Sequence, residues 1–234
     1  MKFKTLAVVA VLCLSVFSCS EKNNSAPEVN SGIVMNTGNY DSDTIHLPES
    51  QKAMEQNFKD VPDAEQGPVI SVGNVTAKAG EIAEVKVYVE GADLNWSSCG
   101  VHLTYPDVLQ CIYREDDNMF LKYKAGVASE FNTGIVAMEW KKESNPPAEL
   151  TEKGMGTMFF TVMFSGDDGQ DGEILTLYLK VPEDAESGTV YPVGFYYLDT
   201  DMFRNTDMSR NIDNNASFEK YAFEHMKPGT ITVE

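Results

Sequence analysis

The chain has 234 residues, 42% of them hydrophobic and 10% aromatic, and a formal net charge of −18. That length allows one good-sized domain plus extensions. The acidic balance excludes a nucleic-acid binder, which needs a positive footprint to displace counterions from phosphate.

At the start of the chain, Lys2 and Lys4 precede an apolar run from Leu6 to Phe17 that is too short for an ordinary membrane span. Ser18-Cys19 and then the polar run Ser20-Glu21-Lys22-Asn23-Asn24 follow. Residues 1–19 are therefore similar to a lipoprotein signal in which Cys19 is lipidated, and plain secretion is the alternative. A lipidated Cys19 would tether the protein to a membrane face without a span. Residues 20–66 are rich in Asn, Ser, Asp, Glu and Pro and read as a flexible polar spacer. Within it, Pro48 to Phe58 could form a short helix, but linker is the preferred reading. The folded domain is expected over 67–234.

From Pro68 the pattern becomes that of strands. Val69 to Thr76 reads as a first strand, Ala79-Gly80-Glu81 as a turn, and Ala83 to Val89 as a second strand with Val85, Val87 and Val89 on one side. In the third, Cys99, Val101, Leu103 and Tyr105 alternate with Gly100, His102 and Thr104 before a Pro106-Asp107 corner. That is the period-two signature of a strand with one buried face. Further strands are expected at Leu109–Tyr113, Gly134–Lys141, Gly156–Phe164, Glu173–Val181, Val190–Leu198 and Thr230–Val233. Short strands with Gly, Pro and Asp turns and almost no helix predict an all-β sandwich or jelly roll.

The residues offer little to catalysis. There are three histidines, His46, His102 and His225. No Gly-x-Ser-x-Gly, His-Glu-x-x-His or Cys-x-x-Cys occurs. His225 is expected to be a packing or capping residue. Asn205-x-Asp207-x-Ser209-x-Asn211 alternates oxygen ligands but lacks the glycine and terminal acid of a calcium loop, and the acidic turn at Asp167, Asp168 and Asp171 is no better. Both read as solvated loops, so no cofactor or metal is assigned. Cys99 and Cys111 are expected to be buried free thiols. If the chain turns near Asp107, Cys111 returns level with Leu103, about 13 Å from Cys99, whereas a disulfide needs Cα atoms within about 7 Å.

The order of these elements resembles a cohesin domain over about Pro68 to Glu234. The resemblance is carried by the Ile70–Glu81 strand and turn, the valine-rich Val85–Val89 strand and the Gly100–Leu109 corner, in which the usual aspartate and proline are swapped. It continues through Thr133-Gly134-Ile135-Val136, the Gly156–Phe164 strand and the closing Gly229-Thr230-Ile231-Thr232-Val233. Val181-Pro182-Glu183-Asp184-Ala185 with Tyr191-Pro192-Val193, and Tyr221-Ala222-Phe223-Glu224-His225-Met226, look like the divergent rumen-bacterial, type III-like members. The resemblance implies a nine-stranded flattened jelly roll with a short helical insert before the last strand. It also implies a non-enzymatic function: binding a dockerin on a second protein, with calcium in the dockerin's loops, to anchor polysaccharide-degrading enzymes or scaffolding proteins at the cell surface. A monomer is expected.

In that family one sheet, including the third strand, presents the docking face. Strand phase then names the candidate partner-binding residues. His102 and Thr104 point outward from the third strand. Ala137 and Glu139 point outward if Val136, Met138 and Trp140 face in. Phe159, Thr161 and Met163 point outward if Met158, Phe160 and Val162 are core. On this reading, His102→Glu with Thr104→Arg spares folding and removes binding. The competing function is a carbohydrate-binding module or sugar-binding lipoprotein on a similar jelly roll. It would need a row of exposed aromatic residues, and the chain has only Trp96 and Trp140 as tryptophans.

Overall fold

A computed structural model describes residues 47–115, 118–127, 134–140, 145–164, 166, 169–205 and 212–234. The first sheet has the order β1 (Val69–Val72), β3 (Ile82–Glu90), β9 (Gly172–Lys180) and β5 (Gln110–Cys111), with β6 (Tyr123–Ala125) also on β9. The second has the order β2 (Val75–Ala77), β12 (Gly229–Val233), β10 (Val190–Phe195), β4 (Ser98–Pro106), β8 (Met155–Met163) and β7 (Gly134–Glu139), with β11 (Met202–Arg204) on β4. Only β2 and β12 pair in parallel among these ladders.

The two sheets pack through one phase of each strand. Ala83, Val85, Val87 and Val89 of β3 are buried, as are Cys99, Val101, Leu103 and Tyr105 of β4 and Met158, Phe160 and Val162 of β8. Those of β3 and β4 are the inward sets that alternation predicts, that of β8 is the first of the two phases it left open, and all three share one hydrophobic core. The all-β jelly roll is therefore present, with twelve strands among the described residues rather than nine. The expected first strand divides at Gly73-Asn74 into β1 and β2, which join different sheets. The edge beside β9 is shared by β5 and β6, and β11 arises inside the long polar segment after Leu198.

Helices pack around the sandwich. α2 (Ala148–Glu152) precedes β8 and packs against it, and α3 (Ile212–Glu224) supplies the helical insert before the last strand and packs against β11 and β1. The linker reading of Pro48 to Phe58 is corrected: this stretch is α1 (Pro48–Phe58), which packs against α3. Pro48 presets the first helical turn and Glu49 complements its positive end. The helix is held because it buries Phe58, whose ring lies 5.8 Å from that of Tyr197 and 6.1 Å from that of Phe223. The Tyr197 backbone N–H donates to Ser50 Oγ at 2.7 Å. Phe58→Ala is therefore expected to cost about 3 kcal/mol, the range for truncating a buried phenylalanine, measurable as a lower urea midpoint at unchanged slope.

Cys99 and Cys111 are both free, for a reason other than the expected register. They lie on β4 and β5, in different sheets, and Cys111 Sγ donates to Tyr105 Oη at 3.0 Å. Cys99 is fully buried and Cys111 half-buried. Burial pushes the Cys111 thiol up to about 12 and Cys99 higher still, so neither is a reactive thiolate at neutral pH.

Candidate docking face

The β4–β8–β7 end of the second sheet is a three-strand face whose register fixes which side chains stand together. β4 and β8 align His102 with Phe159, Gly100 with Thr161 and Ser98 with Met163. β8 and β7 align Phe159 with Met138 and Thr161 with Val136. Cross-strand partners share a side of the sheet. The outer surface is therefore built from Phe159, Thr161 and Met163, as expected, and from Val136, Met138 and Trp140, which are not expected there.

The phase of β7 is thus the reverse of the sequence expectation. Ala137 pairs with core residue Phe160 and is fully buried. Its small side chain fits beneath that ring, and the larger Val136 and Met138 turn outward. Glu139 follows Ala137 to the inner side, where its carboxylate accepts hydrogen bonds from Tyr105 Oη at 3.1 Å and from Tyr113 Oη. Neither Ala137 nor Glu139 presents its side chain on the outer phase. Alternation alone could not choose between two apolar phases, Ile135/Ala137 and Val136/Met138.

His102 and Thr104 are on the outer phase of β4, but they are not open to solvent: His102 is 8% exposed and Thr104 0%. The chain itself covers them. β10 pairs with β4 as far as Phe195 opposite Leu103. β11 then takes up the same edge, with Met202 opposite Gly100. Between them buried Asp201 fills the gap, accepting from His102 Nδ1–H at 2.6 Å, His102 N–H at 3.3 Å and Leu198 N–H at 3.4 Å. Burial raises the Asp201 carboxyl above its ordinary value, against the opposing pull of the bonds from His102. Glu219 of α3 fastens the far side of β11, accepting from Phe203 N–H at 3.1 Å and Arg204 Nε–H at 3.0 Å. At the Thr104 end, outer-phase Met155 joins Leu47, Leu150, Tyr196 and Leu198 in a second hydrophobic cluster.

What remains open is the β8–β7 half. Met163 is 57% exposed, and Phe159, Thr161, Val136, Met138 and Trp140 are half-buried. Gly100 lies beneath them, where a Cβ would come within 3.3 Å of the Phe159 ring, a tight contact to which the ring would have to yield by a few tenths of an ångström. A depression of about 450 Å3 lies among His102, Met138, Glu139, Trp140, Phe159 and Thr200. The His102 ring centroid is 4.8 Å from that of Phe159 and 5.7 Å from that of Trp140. No Asp, Glu, Lys or Arg occupies the outer phase of β4, β8 or β7. The outer phase of the first sheet is the opposite: Glu84, Lys86, Glu173 and Lys180 stand on it, with Lys86 Nζ and Glu173 Oε2 paired at 3.2 Å.

The other polar motifs have structural roles or fall elsewhere. The Asp171 carboxylate accepts from Gly91 N–H at 2.7 Å and Ala92 N–H at 2.9 Å, closing a turn. His225 stacks on Tyr221 with centroids 3.8 Å apart, and its Nδ1 lies 2.8 Å from the Tyr221 carbonyl oxygen. Most of the Asn205–Asn211 motif, Asp167, Asp168, His46 and Cys19 lie outside the described residues. Among the described residues, no three His, Cys, Asp or Glu side chains are placed to hold a metal ion.

The cohesin-domain family model matches residues 68–218, a span that runs from the turn before β1 into α3. Among solved structures, the chain is similar to a type III cohesin module from the cellulosomal ScaE cell-surface anchoring scaffoldin of Ruminococcus flavefaciens, at 20% identity over 84% of this chain and 96% of that one, with a TM-score of 0.56. It is also similar to the cohesin in the OlpA cohesin–Doc918 complex of Clostridium thermocellum (16% identity, 72% and 99% covered, TM-score 0.45). A non-cellulosomal cohesin of the archaeon Archaeoglobus fulgidus gives 16% identity, 72% and 91% coverage and a TM-score of 0.44. No curated protein matched. The family match spans β1 through β11, including all three strands of the uncharged face, and with it the chain belongs to the cohesin family.

Proposed function

We propose that the domain is a non-catalytic docking module that captures a dockerin-bearing protein on the open outer face of β8 and β7. One observation carries this reading: a chain of net charge −18 keeps the outer phase of β4, β8 and β7 free of Asp, Glu, Lys and Arg, and leaves Phe159, Val136, Met138 and Trp140 half-exposed and Met163 exposed on it. Exposed apolar surface on a flat sheet marks a partner site, and aromatic residues and methionine are favoured at interface cores. The described residues of the family's fold supply no metal cluster, and calcium belongs to the dockerin in this scheme. Cys19 would carry a lipid that displays the module on the cell surface as a monomer, holding polysaccharide-degrading enzymes or scaffolding proteins there. Among the described residues no helix is long and apolar enough to cross a membrane.

A sugar-binding role draws no comparable support. Trp96 is fully buried, packed edge-on against Phe164 and stacked on Phe203. The large hydrophobic residues that are exposed, Ile82, Leu94, Met119 and Met163, include no aromatic among the described residues. Calorimetric titration against a dockerin panel in calcium, repeated after chelation and beside insoluble cellulose and starch, separates the two. Calcium-dependent binding of a dockerin is expected. Retention on a polysaccharide with no dockerin response would overturn the proposal.

A further inference from the structure

Resting on the docking reading, we infer that the depression between Trp140, Met138, Phe159, His102 and Thr200 is the anchor pocket of the interface, and that it takes one large apolar side chain from the docking partner. Three walls are Trp140, Met138 and Phe159, residue types that carry binding energy when they frame a desolvated pocket. The polar groups that line it are already engaged. His102 Nδ1 is held by Asp201 at 2.6 Å. Glu139 contributes to the lining with its carboxylate turned to the inner side of the sheet, where both oxygens accept from the hydroxyls of Tyr105 and Tyr113.

That engagement selects the occupant. The protein's net charge of −18 attracts cations to its surroundings, but a lysine or arginine entering this pocket would shed its hydration and meet no unengaged carboxylate among the lining residues. Burying a charge on those terms is costly. A leucine, isoleucine, methionine or phenylalanine side chain loses nothing by entering, and the 450 Å3 depression has room for one. His102 is a positioning residue here. Its buried ring, fixed by Asp201, backs Phe159 and Trp140 and keeps the pocket open when it is empty.

The experiment has two arms. In the first, the full domain and its Trp140→Ala and Thr200→Trp variants are titrated with a dockerin that binds the unaltered protein. Thr200 is exposed, so a tryptophan there plugs the pocket from its rim without removing any core group. Each variant is expected to weaken binding by about tenfold or more, while Lys86→Ala on the opposite sheet leaves it unchanged. Full affinity in both pocket variants overturns the inference and leaves docking standing.

In the second arm, N-acetyl-leucine methylamide and N-acetyl-lysine methylamide are titrated into the 15N-labelled domain. The Trp140 indole N–H resonance is expected to move with the leucine amide and not with the lysine amide, while that of buried Trp96 stays fixed. A response to lysine equal to that for leucine, or to neither, overturns the inference. This arm reads the pocket even if no dockerin binds, an outcome that counts against the docking reading alone.

Discussion

Met163→Glu combined with Thr161→Glu is expected to abolish dockerin binding, weakening it at least about a hundredfold, while the melting temperature of the domain barely moves. Both residues stand on the outer phase of β8, opposite Ser98 and Gly100. Met163 is 57% exposed and Thr161 half-buried on the same open face, so the two carboxylates can reach water in the free protein and together cost about 1 kcal/mol or less. In the complex the same carboxylates would be buried against an apolar partner surface without a counter-charge, and that cost falls entirely on the bound state. Calorimetric titration alongside a thermal scan checks both halves. Undiminished binding would place the interface elsewhere, and Lys86→Glu on the first sheet is the matched control.

The opposite balance is expected at Thr104. Thr104→Arg should destabilise the fold by about 4 kcal/mol, the scale of an unpaired buried charge, and should do so whether or not a partner is present. Thr104 is fully buried, with Thr157 and Gly194 as its cross-strand neighbours. A guanidinium would have to displace the packing above the sheet to reach water. His102→Glu adds to the damage by setting a second carboxylate against Asp201 in place of a hydrogen-bond donor. The double variant is therefore a stability variant, and lost binding in it would report unfolding. Urea denaturation followed by the near-ultraviolet signal of the packed aromatic residues distinguishes it from the Met163 and Thr161 pair.

These two predictions mark the boundary of what local sequence pattern could reveal. The period-two alternation of β3 and β4 named the buried phases, because each of those strands sets bulky residues on the inner phase against Gly, Thr, Lys or Glu on much of the outer one, whereas β8 is apolar on both phases and its inward set followed only on the condition that Met158, Phe160 and Val162 are core. The same alternation placed His102 and Thr104 outward, which is also where they point. Exposure is a different property. It depends on Asp201 and β11, about a hundred residues downstream, folding onto the edge of β4, and no window on Cys99–Tyr105 contains that. On β7 the apolar residues occupy both phases, and the larger ones face out because the outer surface is itself apolar. Val136, Met138 and Trp140 were missed for that reason. α1 was legible in part, since Pro48, Glu49 and the apolar Phe58 are start and packing signals. The reason it is helical, a socket made by Tyr197 and Phe223, lies far away in the chain.

The parallel pairing of β2 with β12 has a mechanical meaning for a module that holds a load. Ile231, Thr232 and Val233 run beside Val75, Thr76 and Ala77 in the same direction. Just upstream, Lys227 bridges β1, with Val72 N–H donating to the Lys227 carbonyl and Lys227 N–H to the Ile70 carbonyl, both at 2.9 Å. Tension applied between the chain ahead of β1 and Glu234 pulls these two segments past each other along their length. Their hydrogen bonds then bear force together, in shear, instead of opening one after another like a zip.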